Sequence, residues 1–128
     1  MSDQNALFKA IMADDEEGVK ACLLQHGSAA SRVRDGCGCQ PLHYASNRGK
    51  PELVRLLLQA GADVDPTDVE GRTPLMYAVC AERTMVALLL MAHGANLYTK
   101  DRRGKTAELH DAERYMLESA GFQPNRRQ

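Results

Sequence analysis

The stretch Gln40-Pro41-Leu42-His43-Tyr44-Ala45 returns as Thr73-Pro74-Leu75-Met76-Tyr77-Ala78, 33 residues further on. Two other markers keep the same step. Asp35-Gly36-Cys37-Gly38 returns as Asp68-Val69-Glu70-Gly71 and again as Asp101-Arg102-Arg103-Gly104. Gly61-Ala62-Asp63 returns as Gly94-Ala95-Asn96. Three markers on one period identify a repeat protein, in which units too thin to bury their own apolar faces must stack. The local chemistry of one unit can be read directly. Aspartate opening a four-residue stretch that glycine closes suits a type I turn, so Asp35–Gly38, Asp68–Gly71 and Asp101–Gly104 are expected hairpin tips. Thr73 before Pro74 is an N-cap followed by proline at the first helical position. Gly49 stops one helix and Pro51 starts the next, and Leu53, Leu56 and Leu57, matched by Val86, Leu89 and Leu90, recur at helical spacing. Gly61 and Gly94 end these second helices. Each unit is therefore a turn, a helix, a tight reversal and a second helix.

A 33-residue period around a Thr-Pro-Leu-His-x-Ala core resembles the ankyrin repeat, and the resemblance spans nearly the whole chain. It implies an all-α solenoid of four helix-turn-helix repeats joined by short β-hairpin or turn connections, in one domain over 1–122. The expected repeats are about 5–34, 35–67, 68–100 and 101–122, with a polar tail over 123–128. The first keeps Leu7, Ala10, Val19, Leu23 and Gly27 but is one residue longer between its Ala and Gly markers. In the last, Asp111 is expected to cap a closing helix through about Ala120, with Gly121 ending it. The layout looks like that of myotrophin-type and kinase-inhibitor-type ankyrin proteins, a likeness of architecture that transfers no partner.

Four departures from the pattern carry expectations of their own. Gln40 replaces the threonine cap, at a cost of about 0.5–2 kcal/mol. Met76 replaces the motif histidine. Glu82 replaces the glycine that ends the first helix, which predicts a looser or helix-extended reversal. Glu108 replaces a leucine, which predicts a degenerate first helix in the fourth repeat.

Sixteen basic and seventeen acidic residues balance to a formal charge of −1, against the basic footprint that nucleic-acid or membrane-surface binding requires. No apolar run approaches the ~20 residues of a membrane span. The start, Met1-Ser2-Asp3-Gln4-Asn5, lacks the features of a signal peptide or myristoylation site, so the expected location is cytoplasmic, with nuclear access at this size. In that reducing setting Cys22, Cys37, Cys39 and Cys80 are expected as free thiols. The acidic run Asp14–Glu17 reads as a solvated helix junction. No constellation for catalysis is present, so the chain reads as no enzyme, with no cofactor and no metal. The competing reading is a thiol-based redox or zinc-responsive sensor using Cys37, Cys39 and Cys80 on the same scaffold. His43 could join such a site, yet at its motif position the resemblance implies a structural histidine bonding between repeats.

The leading expectation is a monomeric, non-catalytic adaptor or inhibitor that binds another protein. The resemblance implies recognition through the hairpin tips and the concave face, which the first, inner helix of each repeat lines. Carried over by motif position, the partner-facing residues are Tyr44, Asn47, Arg48, Arg72, Tyr77, Cys80, Arg102, Arg103 and Lys105. Tyrosine beside arginine is the composition of interaction hot spots. The basic tip residues suggest a partner bearing an acidic patch.

Overall fold

In the computed structural model the described residues are 4–107 and Ser119. Within 4–107 six α-helices alternate in two rows: α1 (Gln4–Met12), α2 (Glu16–His26), α3 (Pro41–Arg48), α4 (Pro51–Gln59), α5 (Pro74–Cys80) and α6 (Thr84–Ala92). The first helices stack on one another, α1 on α3 and α3 on α5, and the second helices form the parallel row α2, α4, α6. Among the described residues there is no strand, and the chain is an all-α solenoid. Beyond Ala107 only Ser119 is described, so Glu108, His110, the closing helix expected from Asp111 to Ala120, Gly121 and the 123–128 tail lie outside the described residues.

The core is one continuous seam between the two rows. Leu7 and Ile11 of α1, Val19 of α2, Leu42 of α3, Leu53, Val54 and Leu57 of α4, Leu75 of α5 and Val86 and Leu90 of α6 are all buried. Leu57, Leu42, Leu75 and Leu90 are 0% exposed, so equivalent positions of successive repeats meet across each interface. The helix starts follow from the sequence. Proline stands at the beginning of α3, α4 and α5, and Thr73 Oγ1 accepts the Met76 N–H at 3.3 Å. Gln40 makes no such cap; its Oε1 is buried without a hydrogen-bond partner, while the Gln40 N–H donates to His43 Nδ1 at 3.0 Å. In the acidic run, Asp15 caps α2 by accepting from Gly18 N–H at 3.0 Å, and Glu16 and Glu17 flank Lys20.

The reversals correct one expectation. With Glu82 in place of glycine, the third-repeat turn is neither looser nor extended. Helix α5 stops at Cys80, and Glu82 itself adopts φ +61°, against +74° for Gly49. Asp14 does the same in the first repeat at φ +57°. The turn is held by bonds that do not depend on the glycine: Arg83 N–H reaches Ala78 O at 2.8 Å, and the Arg83 Nε donates across to Asn47 O at 3.0 Å. That arginine lies directly over Gly49, where a Cβ would come within 2.5 Å of its Cδ. The first repeat holds a second surprise, a 3-10 helix over Gly27–Arg32 that follows an α2 of 11 residues, against 9 in α4 and α6. Arg32 ties this addition to the next repeat by donating to Gly61 O at 3.0 Å.

The connections, expected as short β-hairpins or turns, are turns among the described residues. In each tip the aspartate Oδ1 collects two backbone N–H groups: Cys37 and Cys39 on Asp35, Glu70 and Arg72 on Asp68, Arg103 and Lys105 on Asp101, every one at 2.9 Å. Donors spent on a carboxylate are not free to build a ladder. Successive turns are joined by single backbone bonds, Val69 N–H to Cys37 O at 3.1 Å and Arg102 N–H to Glu70 O at 2.9 Å. Close approach at these joints requires Gly38 and Gly71, at φ +76° and +77°.

Candidate functional site

Between the third tip and the start of the fourth repeat, the surface sinks into a groove of about 590 Å³. Helix α5 supplies its floor with Met76, Tyr77, Val79 and Cys80, and α3 contributes Asn47 at one end. The opposite wall is Thr106 and Ala107, and the rim is Glu70 and Arg72 on one tip with Asp101, Arg103 and Lys105 on the next. The rim is rigidly based, because the backbones of Arg72, Arg103 and Lys105 are pinned by Asp68 and Asp101. Hydrogen bonds from Lys105 and Arg103 N–H, with the nearby guanidinium charges of Arg72 and Arg103, hold the Asp101 carboxyl below its usual range.

Six of the nine residues expected to face a partner line this groove: Asn47, Arg72, Tyr77, Cys80, Arg103 and Lys105. Tyr44, Arg48 and Arg102 stand outside its lining, each drawn to a contact of its own. The Tyr44 hydroxyl donates to Asp35 Oδ2, and its ring meets Phe8 edge-on with centroids 5.5 Å apart. Arg48 spans to Asp14 of the first repeat, Nη2 to Oδ2 at 3.0 Å. Arg102 donates from Nη1 to Val69 O at 3.1 Å. Sequence reasoning missed Met76, Val79 and Ala107 as groove residues. Two of them are buried, and apolar periodicity reports burial without saying that the buried edge also floors a groove.

Beneath the tips a polar network joins the second and third repeats. His43, 0% exposed, accepts from Gln40 N–H through Nδ1, so Nε2 carries the proton and donates to Arg72 O at 2.9 Å. Burial pushes its pKa below the usual histidine value, which keeps the ring neutral. Its ring lies edge-on to Tyr77 with centroids 5.0 Å apart. The Tyr77 hydroxyl donates to Asp68 Oδ2 at 2.5 Å and takes a hydrogen bond from the Cys39 thiol at 3.1 Å. Burial and these partners raise the Tyr77 pKa, and burial likewise raises the Cys39 thiol above its ordinary value. Cys39 is thus an inert, protonated thiol within a packed network. Cys37 and Cys80 are exposed on separate elements. Among the described residues no group of three or more His, Cys, Asp and Glu side chains is placed to hold a metal ion. No helix among them is long and apolar enough to cross a membrane.

Comparison with known proteins gives a consistent picture. A family model described as ankyrin repeats (3 copies) matches residues 7–101. The chain is 42% identical over 87 residues to the B-cell lymphoma 3 protein homolog of Mus musculus, a match covering 67% of this chain and 19% of that protein. It is 38% identical over 82 residues to Rabankyrin-5 of Homo sapiens, covering 63% of this chain and 7% of the relative. Dauer abnormal formation protein 25 of Caenorhabditis elegans is 38% identical over 105 residues, covering 81% of this chain and 26% of the relative. The chain therefore spans about a quarter or less of the length of these relatives.

Proposed function

Because the chain belongs to the ankyrin-repeat family, whose repeats mediate protein–protein interaction, we propose that it is a non-catalytic adaptor or inhibitor that binds one partner protein through its inner helices and tips. The observation that supports this reading is the groove itself. It lies where the inner helix α5 and two successive tips converge, and it combines an apolar floor with pinned cations. That is the anatomy of a recognition surface: apolar at its centre, polar at its rim and rigid before the partner arrives. Within this reading Arg72, Arg103 and Lys105 steer the approach and Tyr77 with Cys80 forms part of the contact area. The protein acts as a monomer in the cytoplasm, with access to the nucleus. Immobilised full-length chain exposed to extract of its own cells should retain a partner that the Arg103→Glu, Lys105→Glu double variant loses, with both proteins melting alike. Equal retention by the two proteins would remove the groove from the binding surface.

A further inference from the structure

The floor of the groove holds a residue that departs from the repeat pattern. Where the second repeat meets the third, His43 fills the space below the tip, bonding to Arg72 O at 2.9 Å and packing on Tyr77. At the equivalent position of the next junction stands Met76, which offers no hydrogen bond to the tip that follows. There the surface opens to about 590 Å³, a size within the roughly 300–1,000 Å³ of specific ligand sites. A flexible thioether at the floor suits an incoming side chain, since methionine adapts its shape to what it meets.

The charge on this opening is directional. Its acidic members are Asp101, whose Oδ1 is occupied by the backbone of Arg103 and Lys105, and Glu70. Its cations are different: among the described residues no ion pair engages the side chains of Arg72, Arg103 or Lys105. Three cations, Arg72, Arg103 and Lys105, thus outnumber the two carboxylates around an apolar floor of Met76, Val79 and Ala107. Resting on the reading of this side as the binding side, we propose that the junction of the third and fourth repeats takes an extended acidic peptide segment of the partner. Its carboxylates pair with Arg72, Arg103 and Lys105, and one apolar side chain between them seats on Met76 and Val79. Arginine favours planar, two-point contact with a carboxylate, and the carboxylates on either side keep the segment in register.

Three synthetic decapeptides test this with the whole chain: one alternating Glu with Leu, one alternating Lys with Leu, and one alternating Glu with Ser. Fluorescence anisotropy measures affinity, and amide chemical shifts report where each peptide sits. The Glu–Leu peptide should bind at least about tenfold tighter than either of the others and weaken as salt rises. Its shifts should fall on Val79, Cys80 and Ala107, and Arg103→Glu with Lys105→Glu should reduce binding by about tenfold or more. Equal or tighter binding of the Lys–Leu peptide at those amides would overturn the acidic partner while leaving the concave binding side intact. Equal binding of the Glu–Ser peptide would overturn the apolar anchor. No saturable binding of the Glu–Leu peptide at millimolar concentration would overturn the proposal outright. Shifts confined to α4 and α6 would overturn the concave reading with it.

Discussion

Asp35, Asp68 and Asp101 each do the work of a small hub. One carboxylate oxygen organises its own turn, and in the first two the other oxygen receives the tyrosine hydroxyl of the helix that follows, Tyr44 or Tyr77. These bonds hold the carboxyls of Asp35 and Asp68 below their ordinary range even though burial pushes the other way. Acid therefore attacks the fold in two steps. His43 has a lowered pKa when folded, so the unfolded chain takes up its proton first, and stability falls as pH drops below 6.5. Protonating the aspartates removes more below 3.8. Urea melts at pH 7.5 and 5.5 should show a lower midpoint at 5.5. The difference should vanish in His43→Met, which places at this junction the residue that Met76 provides at the next. A pH-independent midpoint in the parent protein would contradict the neutral, buried assignment. Above pH 10 the sign reverses, because Tyr44 and Tyr77 have raised pKa values and the unfolded chain loses their protons first. The positive φ of Glu82 gives a second prediction at this scale. Replacing it with glycine relieves left-handed strain at a modest entropic cost and should stabilise the protein by about 1 kcal/mol in thermal melts.

The helices themselves were legible because their signals are local. Proline at the first position of α3, α4 and α5, the Thr73 cap and the glycines after α3, α4 and α6 sit where the pattern predicts. What was not legible is non-local. The reversal at Glu82 persists because Arg83 reaches across to Asn47 O, a contact 36 positions away that no window of sequence contains. The 3-10 helix after α2 is tied through Arg32 to Gly61 O, again in a neighbouring repeat. The basic cluster around Arg103 was visible, yet the separation of Arg48 and Arg102 from it was not, because side chains choose partners after the backbone has stacked. The element interfaces predict their own energetics. Leu57 of α4 is 0% exposed between rows, so Leu57→Ala should cost about 2–5 kcal/mol in denaturant melts. A loss below about 0.5 kcal/mol would show that the rows do not pack through this residue.

A solenoid spreads its stability over nearest-neighbour interfaces and gains a long surface in return. In this molecule the two kinds of site are separated. The junction of the second and third repeats is closed by His43, Tyr77, Asp68 and Cys39, while among the described residues a groove lies over Met76 at the next. The sequence carried histidine in one copy and methionine in the other, but the meaning of that difference depended on seeing which surface the methionine floors. Binding at this groove is the central claim, and site-specific photo-crosslinking tests it most directly. A photoreactive residue placed in the whole chain at Cys80 or Arg103 should capture the same partner from either position. Placed at Arg55 of α4 or Met85 of α6, on the second-helix row, it should capture none. Crosslinks from Arg55 and Met85, with none from Cys80 and Arg103, would contradict the account and move the binding surface to the opposite side of the stack.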